Sequence, residues 1–169
     1  HSCKKSRNDV WLSLLPLAHT LEMTIGLLYP MFCGASIYYL QKPPVPALLL
    51  KAIKTVRPTV ILSVPLIIEK IYKGSVLPTI NGSRTLRWMD KHANLLMCRL
   101  IGLKLKSTFG GRLRFFGIGG AKLDGEVEKF LLKSGFPYAV GYGLTETSPL
   151  VSFSMNRWRT VGSIGYPVH

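Results

Sequence analysis

The sequence predicts an α/β fold in which helices flank a mainly parallel β-sheet. Short apolar runs alternate with helical patterns along the whole chain, and this alternation is typical of α/β proteins. The run at residues 59–64 is rich in β-branched and apolar residues, as expected of a strand that is covered on both faces of a parallel sheet. The chain has 169 residues, 47% of them hydrophobic, which is enough for one ordinary core in one compact unit.

Five strands are predicted from the apolar runs. Proline ends the first two because it has no amide hydrogen to give to a ladder: Pro16 follows the first strand and Pro43 the second. The third strand is mostly β-branched and apolar, and the last leads into a glycine-rich segment. The predicted strands are residues 10–15, 36–40, 59–64, 112–118 and 137–142.

Helices are predicted between these strands. The helix that begins at Pro46 carries Leu49, Ala52, Ile53 and Val56 on one face at helical spacing. The last helix has Asp124 as its N-cap, a buried stripe of Val127, Phe130 and Leu131, and Gly135 at its C-terminal end. The other predicted helices are residues 20–34, 65–72 and 85–105, and residues 73–83 are predicted to form a loop.

The formal charge of +14 is compatible with an anionic partner such as a phosphorylated cofactor, a nucleic acid or a membrane surface. The lysines and arginines are scattered, and the densest basic run, Lys104, Lys106, Arg112 and Arg114, lacks the series of interleaved stacking aromatics that single-strand binding requires. No nucleic-acid partner is therefore expected. A solvated basic face also explains the charge, and peripheral contact with a membrane stays open.

Three cysteines, at positions 3, 33 and 98, are far apart and are expected to be reduced thiols of a cytoplasmic protein. Residues 23–41 carry no charge and have the length of a membrane span. Gly26, Pro30 and Gly34 interrupt them, so a buried helix that runs into a buried strand is predicted instead. The chain shows no secretion leader and begins with histidine, which favours an internal piece of a longer protein.

Two glycine-rich segments follow predicted strands, at the strand ends where open parallel sheets bind ligands. The first is residues 117–121, where Gly117, Gly119, Gly120 and Ala121 have little or no side chain and let a flat ligand approach the backbone. Taken alone, a plain strand-to-helix turn is the simpler explanation of this segment. It is neither a Walker loop nor a Gly-x-Gly-x-x-Gly fingerprint.

The second segment, residues 141–147, contains an aromatic ring, hydroxyls and a carboxylate. Tyr142 offers a ring face to a base, Thr145 offers a hydrogen bond to a phosphate oxygen, and Glu146 offers a hard oxygen ligand to Mg²⁺. A structural turn needs only the glycines at 141 and 143. His19 lies at the end of the first strand. A lone histidine is more often a packed or capping residue than a functional one.

The sequence lacks the residue patterns that three other kinds of active site require. The chain has no Gly-x-Ser-x-Gly elbow, so a hydrolase of that type has no nucleophile. Its four histidines, at positions 1, 19, 92 and 169, share no spacing that would bind zinc. The eight acidic residues are dispersed, which argues against catalysis by paired carboxylates.

Residues 141–149, GYGLTETSP, resemble the Tyr-Gly-x-Thr-Glu motif of the adenylate-forming superfamily. Three more segments fit in order: residues 15–19 look like its Leu-Pro-x-x-His segment, residues 119–121 like its Gly-Gly-Ala turn, and residues 161–167 like its Gly-x-x-Gly-x-Pro stretch. Residues 53–73 are similar to the long-chain fatty-acid–CoA ligase branch, although Leu66 and Ile67 depart from it and residues 73–100 are short. Residues 1–169 thus resemble part of an AMP-binding domain, the large N-terminal domain of an acyl-CoA synthetase.

The resemblance implies an enzyme that joins a fatty acid to ATP, with Mg²⁺, and passes the acyl group from the acyl-adenylate to coenzyme A. Tyr142 would stack on adenine, Thr145 would bond the α-phosphate and Glu146 would hold Mg²⁺. His19 would position the reacting groups rather than act as a general base. The implied catalytic residues are Thr145, Glu146 and His19, and the implied cofactor-binding residues are Gly119, Gly120, Ala121, Gly141, Tyr142, Gly143 and Thr145.

The resemblance also implies parts that these residues do not contain, namely the phosphate loop, the ribose contact and the C-terminal lid domain with its lysine. The isolated segment is therefore expected to be inactive, and to self-associate through surfaces that the rest would cover. Two alternatives stay open. One is a noncatalytic nucleotide-binding or scaffold module with a basic surface; the other is an enzyme whose acyl acceptor is a carrier protein or a reductase instead of coenzyme A.

Overall fold

The structure, a computed structural model, describes residues 7–40, 45–155 and 160–168. Its strands are β1 (Val10–Ser13), β2 (Ser36–Tyr39), β3 (Val60–Ser63), β4 (Phe115–Ile118), β5 (Tyr138–Tyr142), β6 (Ser152–Met155) and β7 (Tyr166–Pro167). They form one sheet in the order β2-β1-β3-β4-β5-β6-β7. β1 to β5 are parallel, whereas β6 pairs antiparallel with β5 and with β7. The predicted α/β fold with a mainly parallel sheet is confirmed.

Helices cover both faces of this sheet. On one face a π-helical segment, Glu22–Leu28, continues directly into α1 (Tyr29–Cys33). On the other face a second π-helical segment, Tyr72–Val76, joins two of the helices. The helices of that face are α2 (Pro46–Val56), α3 (Pro65–Ile71), α4 (Leu77–Gly82), α5 (Arg84–His92), α6 (Asn94–Thr108) and α7 (Gly125–Ser134).

Local sequence signals set several of these boundaries. Proline occupies the first turn of α2 and α3, where its missing amide hydrogen costs nothing. Asp124 caps α7, its carboxylate accepting hydrogen bonds from the Glu126 and Val127 amides at 2.8 and 3.2 Å. Gly135 ends α7 with φ +69°, a backbone angle that side chains disfavour. The cap and stop predicted for this helix are confirmed.

Alternation along the strands divides the core into two apolar layers. Leu12, Ile61 and Phe116 face α2 to α7 and belong to the larger layer, where Phe109, Phe116 and Phe136 pack edge to face at 5.4–5.6 Å. Trp11, Val60 and Leu62 face the Glu22–Leu28 segment in the smaller layer. The smaller layer is incomplete, and a cavity lies within it.

Two helix assignments made from the sequence are wrong. Residues 73–83 were predicted as a loop, but residues 73–82 are helical, because Val76 and Ile80 continue the buried stripe of α3 past Gly74 and Pro78. The predicted helix at residues 85–105 is two helices, since Ala93 leaves helical backbone angles between them.

Smaller differences concern strand ends, cysteines and membrane spans. β1 ends at Ser13 and β4 begins at Phe115, so both strands are shorter than predicted. Cys33 and Cys98 are free thiols, as predicted, and Cys3 lies outside the described residues. None of the helices in the described ranges is long and apolar enough to cross a bilayer.

Candidate active site

A cavity of about 810 Å³ opens at the carboxyl ends of the parallel strands. It lies between the sheet and the helical segment Glu22–Leu28, so its long walls are apolar. Its polar side chains are few, as is common in ligand pockets, and most of them come from the loop before the helical segment and from the turn after β5. The apolar walls come from Trp11, Val60, Leu62 and Phe115 of the sheet, from Leu21, Ile25 and Tyr29 opposite, and from Leu150 and Phe153 beyond β5.

Glycines in the central strands create this space. A Cβ at Gly117 would lie 2.7 Å from Leu62 Cδ2 and 2.9 Å from Phe115 Cε1. A Cβ at Gly141 would lie 2.9 Å from Leu150 Cδ1. Gly117 belongs to the glycine-rich segment predicted from the sequence but was not named among its cofactor-binding residues, although a glycine inside a buried strand is itself a signal of close approach by a ligand or another backbone.

The turn after β5 carries two of the predicted polar residues to the rim. Gly143 is required there, because a Cβ would collide with the carbonyl group of Pro149. Thr147 holds the turn: its hydroxyl accepts a hydrogen bond from the Leu144 amide at 3.0 Å and donates to the Leu144 carbonyl at 2.9 Å. Thr145 and Glu146, within the resulting 3₁₀ turn, line the rim and are exposed. Thr147 was not among the residues predicted from the sequence, although a threonine at this spacing is a known turn-capping residue.

His19 lines the rim from the loop between β1 and the helical segment. Its backbone amide donates to the Pro16 carbonyl at 2.9 Å, and its carbonyl accepts from the Met23 amide at 3.0 Å. The ring nitrogen Nδ1 accepts a hydrogen bond from the Leu21 amide at 3.2 Å. In a neutral ring the proton is then on Nε2, which makes that nitrogen a hydrogen-bond donor.

The glycine turn after β4 completes the rim. The Gly119 amide donates to the Ser63 carbonyl at 3.1 Å, which ties this turn to the end of β3. Gly120 has φ +85°, a conformation that favours glycine. The turn therefore needs at least this glycine for its backbone, and both glycines also line the cavity.

The structure divides the predicted site residues between the two faces of the sheet. Tyr142 and Ala121 do not line the cavity. Tyr142 follows Gly141 on the same strand, so its ring lies on the opposite face, where it is 45% exposed. The predicted residues that the cavity brings together are His19, Gly119, Gly120, Gly141, Gly143, Thr145 and Glu146.

The rim fits a magnesium ion only together with a phosphate ligand. Across the described ranges, no group of three His, Cys, Asp or Glu side chains is placed to hold a metal ion. Glu146 is a carboxylate at the rim and can contribute one carboxylate ligand. Mg²⁺ is commonly bound in this way, by one or two carboxylates, substrate phosphates and water.

Comparison with known sequences identifies the family. A profile of the AMP-binding enzyme family matches residues 1–169. The chain is 32% identical to the peroxisomal long chain acyl-CoA synthetase 6 of Arabidopsis thaliana, over 98% of this chain and 25% of that protein. It is 30% identical to long-chain-fatty-acid–CoA ligase 2 of Schizosaccharomyces pombe, over 95% of this chain and 26% of that protein. The chain thus spans about a quarter of the length of these curated relatives.

Comparison with solved structures shows the same fold. O-succinylbenzoate coenzyme A synthetase of Bacillus subtilis, in complex with AMP, matches 96% of this chain and 27% of its own with a TM-score of 0.67 at 19% identity. The same enzyme in complex with ATP and a magnesium ion matches 95% of this chain and 27% of its own, with a TM-score of 0.65 at 19% identity.

Proposed function

We propose, since the chain belongs to the AMP-binding enzyme family, that it is the part of a fatty-acid–CoA ligase that holds the fatty acid against the α-phosphate of ATP. The observation that carries this proposal is the cavity, which is apolar along its walls and polar at its rim. The rim is built from the same residues that resemble the motifs of the superfamily. The long-chain relatives at about 30% identity support a fatty acid as the substrate.

The cavity suits an acyl chain for a simple energetic reason. Each methylene that leaves water for an apolar wall gains about 0.8 kcal/mol, so affinity increases with chain length until the cavity is full. Trp11, Leu62, Phe115 and Ile25 supply such walls. With the alkyl chain inside, the carboxylate of the fatty acid reaches the polar rim.

The chemical problem at the rim is that two anions must react. A carboxylate oxygen attacks the α-phosphorus of ATP, a new carbon–oxygen–phosphorus linkage forms, and the bond to the pyrophosphate oxygen breaks. In this proposal, Nε2–H of His19 and the hydroxyl of Thr145 donate hydrogen bonds to carboxylate and phosphoryl oxygens as charge spreads over them. Glu146 would hold Mg²⁺, which neutralises phosphate charge when bound. His19 acts by position, because its Nδ1 is engaged with the Leu21 amide.

The adenine is assigned to the other side of the same strand end. Tyr142 lies on the opposite sheet face from Gly141, and its ring is exposed and available for stacking on a base. Ala121 follows the cavity-lining glycines and is also exposed outside the cavity. We assign Tyr142 and Ala121 to binding of the base. The glycines that line the cavity are assigned to contacts with the phosphate and the carboxylate.

Coenzyme A is the proposed acceptor of the acyl group. The similarity to acyl-CoA synthetases supports it over a carrier protein or a reductase. The transfer step needs residues outside this chain. Binding of the β- and γ-phosphates and of the ribose needs such residues as well. We therefore expect the isolated chain to make no acyl-CoA.

The basic surface is assigned to a membrane rather than to a nucleic acid. Helices α5 and α6 place exposed apolar side chains, Trp88, Leu96 and Leu103, among exposed arginines and lysines such as Arg87 and Arg99. The ion pair seen within the described ranges joins Arg114 to Asp9 and includes none of these cations. Leucine and tryptophan flanked by basic residues are typical of helices that lie at an anionic lipid surface. A second copy of the chain would bring the same positive charge against this face.

Vesicle flotation tests the membrane assignment. We expect the chain to bind vesicles that contain phosphatidylserine, and Leu96→Gln with Leu103→Gln to weaken this binding at least tenfold. Leu28→Gln with Leu66→Gln is the matched control, because both leucines are 55% exposed on other surfaces. Equal binding to pure phosphatidylcholine vesicles, or an equal loss in the control, would contradict the assignment.

Fatty-acid-dependent exchange of pyrophosphate into ATP tests the proposed function in the full-length ligase. We expect exchange with long-chain acids, and no exchange without an acid. The alternative of a noncatalytic nucleotide-binding module predicts ATP binding without any exchange, and a ligase for another acid class predicts exchange with that class only.

A further inference from the structure

Glu22 is a buried carboxyl group next to the candidate active site. Its side chain is 1% exposed, and it begins the helical segment three residues after His19. Burial raises the pKa of Glu22, while hydrogen bonds from the Ser13 side chain and the Leu15 backbone act in the opposite direction. None of the motifs found in the sequence includes this residue.

The partners of Glu22 lie on the other side of the loop that carries His19. Ser13 is the last residue of β1, and Leu15 lies in the loop itself. Glu22 therefore joins the start of the helical segment to the end of the strand and closes residues 14–21 into a short loop. Gly26 makes room for this arrangement, because a Cβ at position 26 would collide with the Glu22 carboxyl group.

Stability does not account for a carboxyl group at this place. The second oxygen, Oε2, has no hydrogen-bond partner among the residues that the structure describes. A buried polar atom without a partner is costly, and an apolar side chain of similar size would fill the position without that cost. The carboxyl group instead fixes the conformation of the loop, because it accepts hydrogen bonds from two points of the chain, Ser13 and Leu15.

We propose that Glu22 is a positioning residue for His19. The hydrogen bonds to Ser13 and Leu15 fix the loop before His19, and the Leu21 and Met23 amides bond His19 to the first helical turn behind it. Together they hold the histidine ring at the rim with Nδ1 as the acceptor. The inference rests on the proposed function only for what His19 does there, and not for how it is held.

The test compares Glu22→Ala and Glu22→Gln with a matched control. Glu128 is also a buried carboxyl, 3% exposed, and it accepts a hydrogen bond from the Gly162 amide at 2.8 Å away from the cavity. Glu128→Ala should therefore cost stability without reaching His19. The full-length protein is labelled with ¹³C- and ¹⁵N-histidine, and His19→Asn identifies the signals of His19.

We expect Glu22→Ala to shift or broaden the His19 ring signals and to lower kcat of pyrophosphate exchange at least tenfold, with KM for ATP changed less than twofold. Glu22→Gln should keep the His19 ring signals and kcat close to those of the wild type, because its amide oxygen can accept the same two hydrogen bonds. Glu128→Ala should leave the His19 signals in place.

If Glu22→Ala does not fold, Ser13→Ala removes one hydrogen bond to Glu22 and should produce a smaller shift of the same signals. Unchanged His19 signals in folded variants, or the same change in Glu128→Ala, would overturn the proposal. Absence of exchange in the wild-type enzyme would contradict the proposed function instead, since the histidine signals are measured without turnover.

Discussion

Replacing Gly117 with valine in the full-length ligase should make the enzyme reject long acyl chains. Gly117 lies on β4, two residues before Gly119 at the rim, which places it about 7 Å inside the cavity along the strand. Because Gly117 has no side chain, its backbone forms part of the cavity wall. Valine is favoured in strands, and the atoms that its Cβ would overlap, Leu62 Cδ2 at 2.7 Å and Phe115 Cε1 at 2.9 Å, are ends of side chains that line the cavity and would have to shift.

The size of the effect follows from the carbon atoms added. Valine places three carbons where about three methylenes of the acyl chain would otherwise be buried. At about 0.8 kcal/mol for each methylene, the loss is about 2.4 kcal/mol. Since 1.4 kcal/mol is a factor of ten, kcat/KM for hexadecanoate should fall roughly fiftyfold. Butanoate does not extend past Gly117, so its kcat/KM should change less than threefold.

Steady-state rates with the two acids measure this selectivity, and thermal unfolding checks that the variant is folded. Gly74→Val is the matched control, because Gly74 is exposed and a Cβ added there would have no atom within 4 Å. An equal loss for both acids would mean that valine damages the rim or the fold. No loss for hexadecanoate would mean that the acyl chain does not use this cavity.

Three further predictions concern Glu146 at the rim, Tyr142 on the other sheet face, and Glu22. Glu146→Gln should keep the fold and lower adenylate formation roughly tenfold or more, because a ligand of Mg²⁺ is lost; unchanged pyrophosphate exchange would refute the metal assignment. Tyr142→Ala should raise KM for ATP more than KM for the fatty acid, whereas equal increases would make Tyr142 merely structural. Burial raises the pKa of Glu22 above its ordinary value of 4.5, so the folded state holds a proton that the unfolded state has released. The free energy of unfolding should therefore fall as pH rises from about 4.5 through the raised pKa, and urea titrations should show a flatter profile for Glu22→Gln.

The central parallel strands could be predicted because their burial leaves a simple pattern. The buried strand predicted at residues 36–40 is wrong in its burial, because β2 lies at the edge of the sheet and is mostly exposed. Residues 60–63 are buried at every position, as the apolar run Val60, Ile61 and Leu62 indicates, and Ser63 is buried with them. β6 could not be found in this way, because Ser152 and Ser154 are buried there. The Ser152 hydroxyl is satisfied by donating to the Ile164 carbonyl at 2.9 Å, a contact that only the folded chain supplies.

The rim could be predicted and the cavity could not, again for a physical reason. Thr145, Glu146 and the glycines lie in short motifs that carry their chemistry locally. The walls come from strands and a helix far apart in the sequence, and each wall residue taken alone is an ordinary core residue. Glu22 escaped notice because a carboxylate in an otherwise uncharged stretch suggests a helix end in solvent, whereas the structure buries it.

One strand separates the two substrates if the proposed function is correct. Along β5 the side chains alternate between faces, so Gly141 opens the cavity on one face while Tyr142 presents its ring on the other. The acyl chain and the adenine then approach from opposite sides, and they can meet only beyond the end of the strand, at the turn that carries Thr145 and Glu146. That is where the carboxylate and the α-phosphate must react. A one-residue insertion before Gly141 would exchange the two faces, placing a side chain in the cavity and removing the ring from the base. Such a variant should lose both substrates together, unlike Gly117→Val or Tyr142→Ala, each of which should affect mainly one.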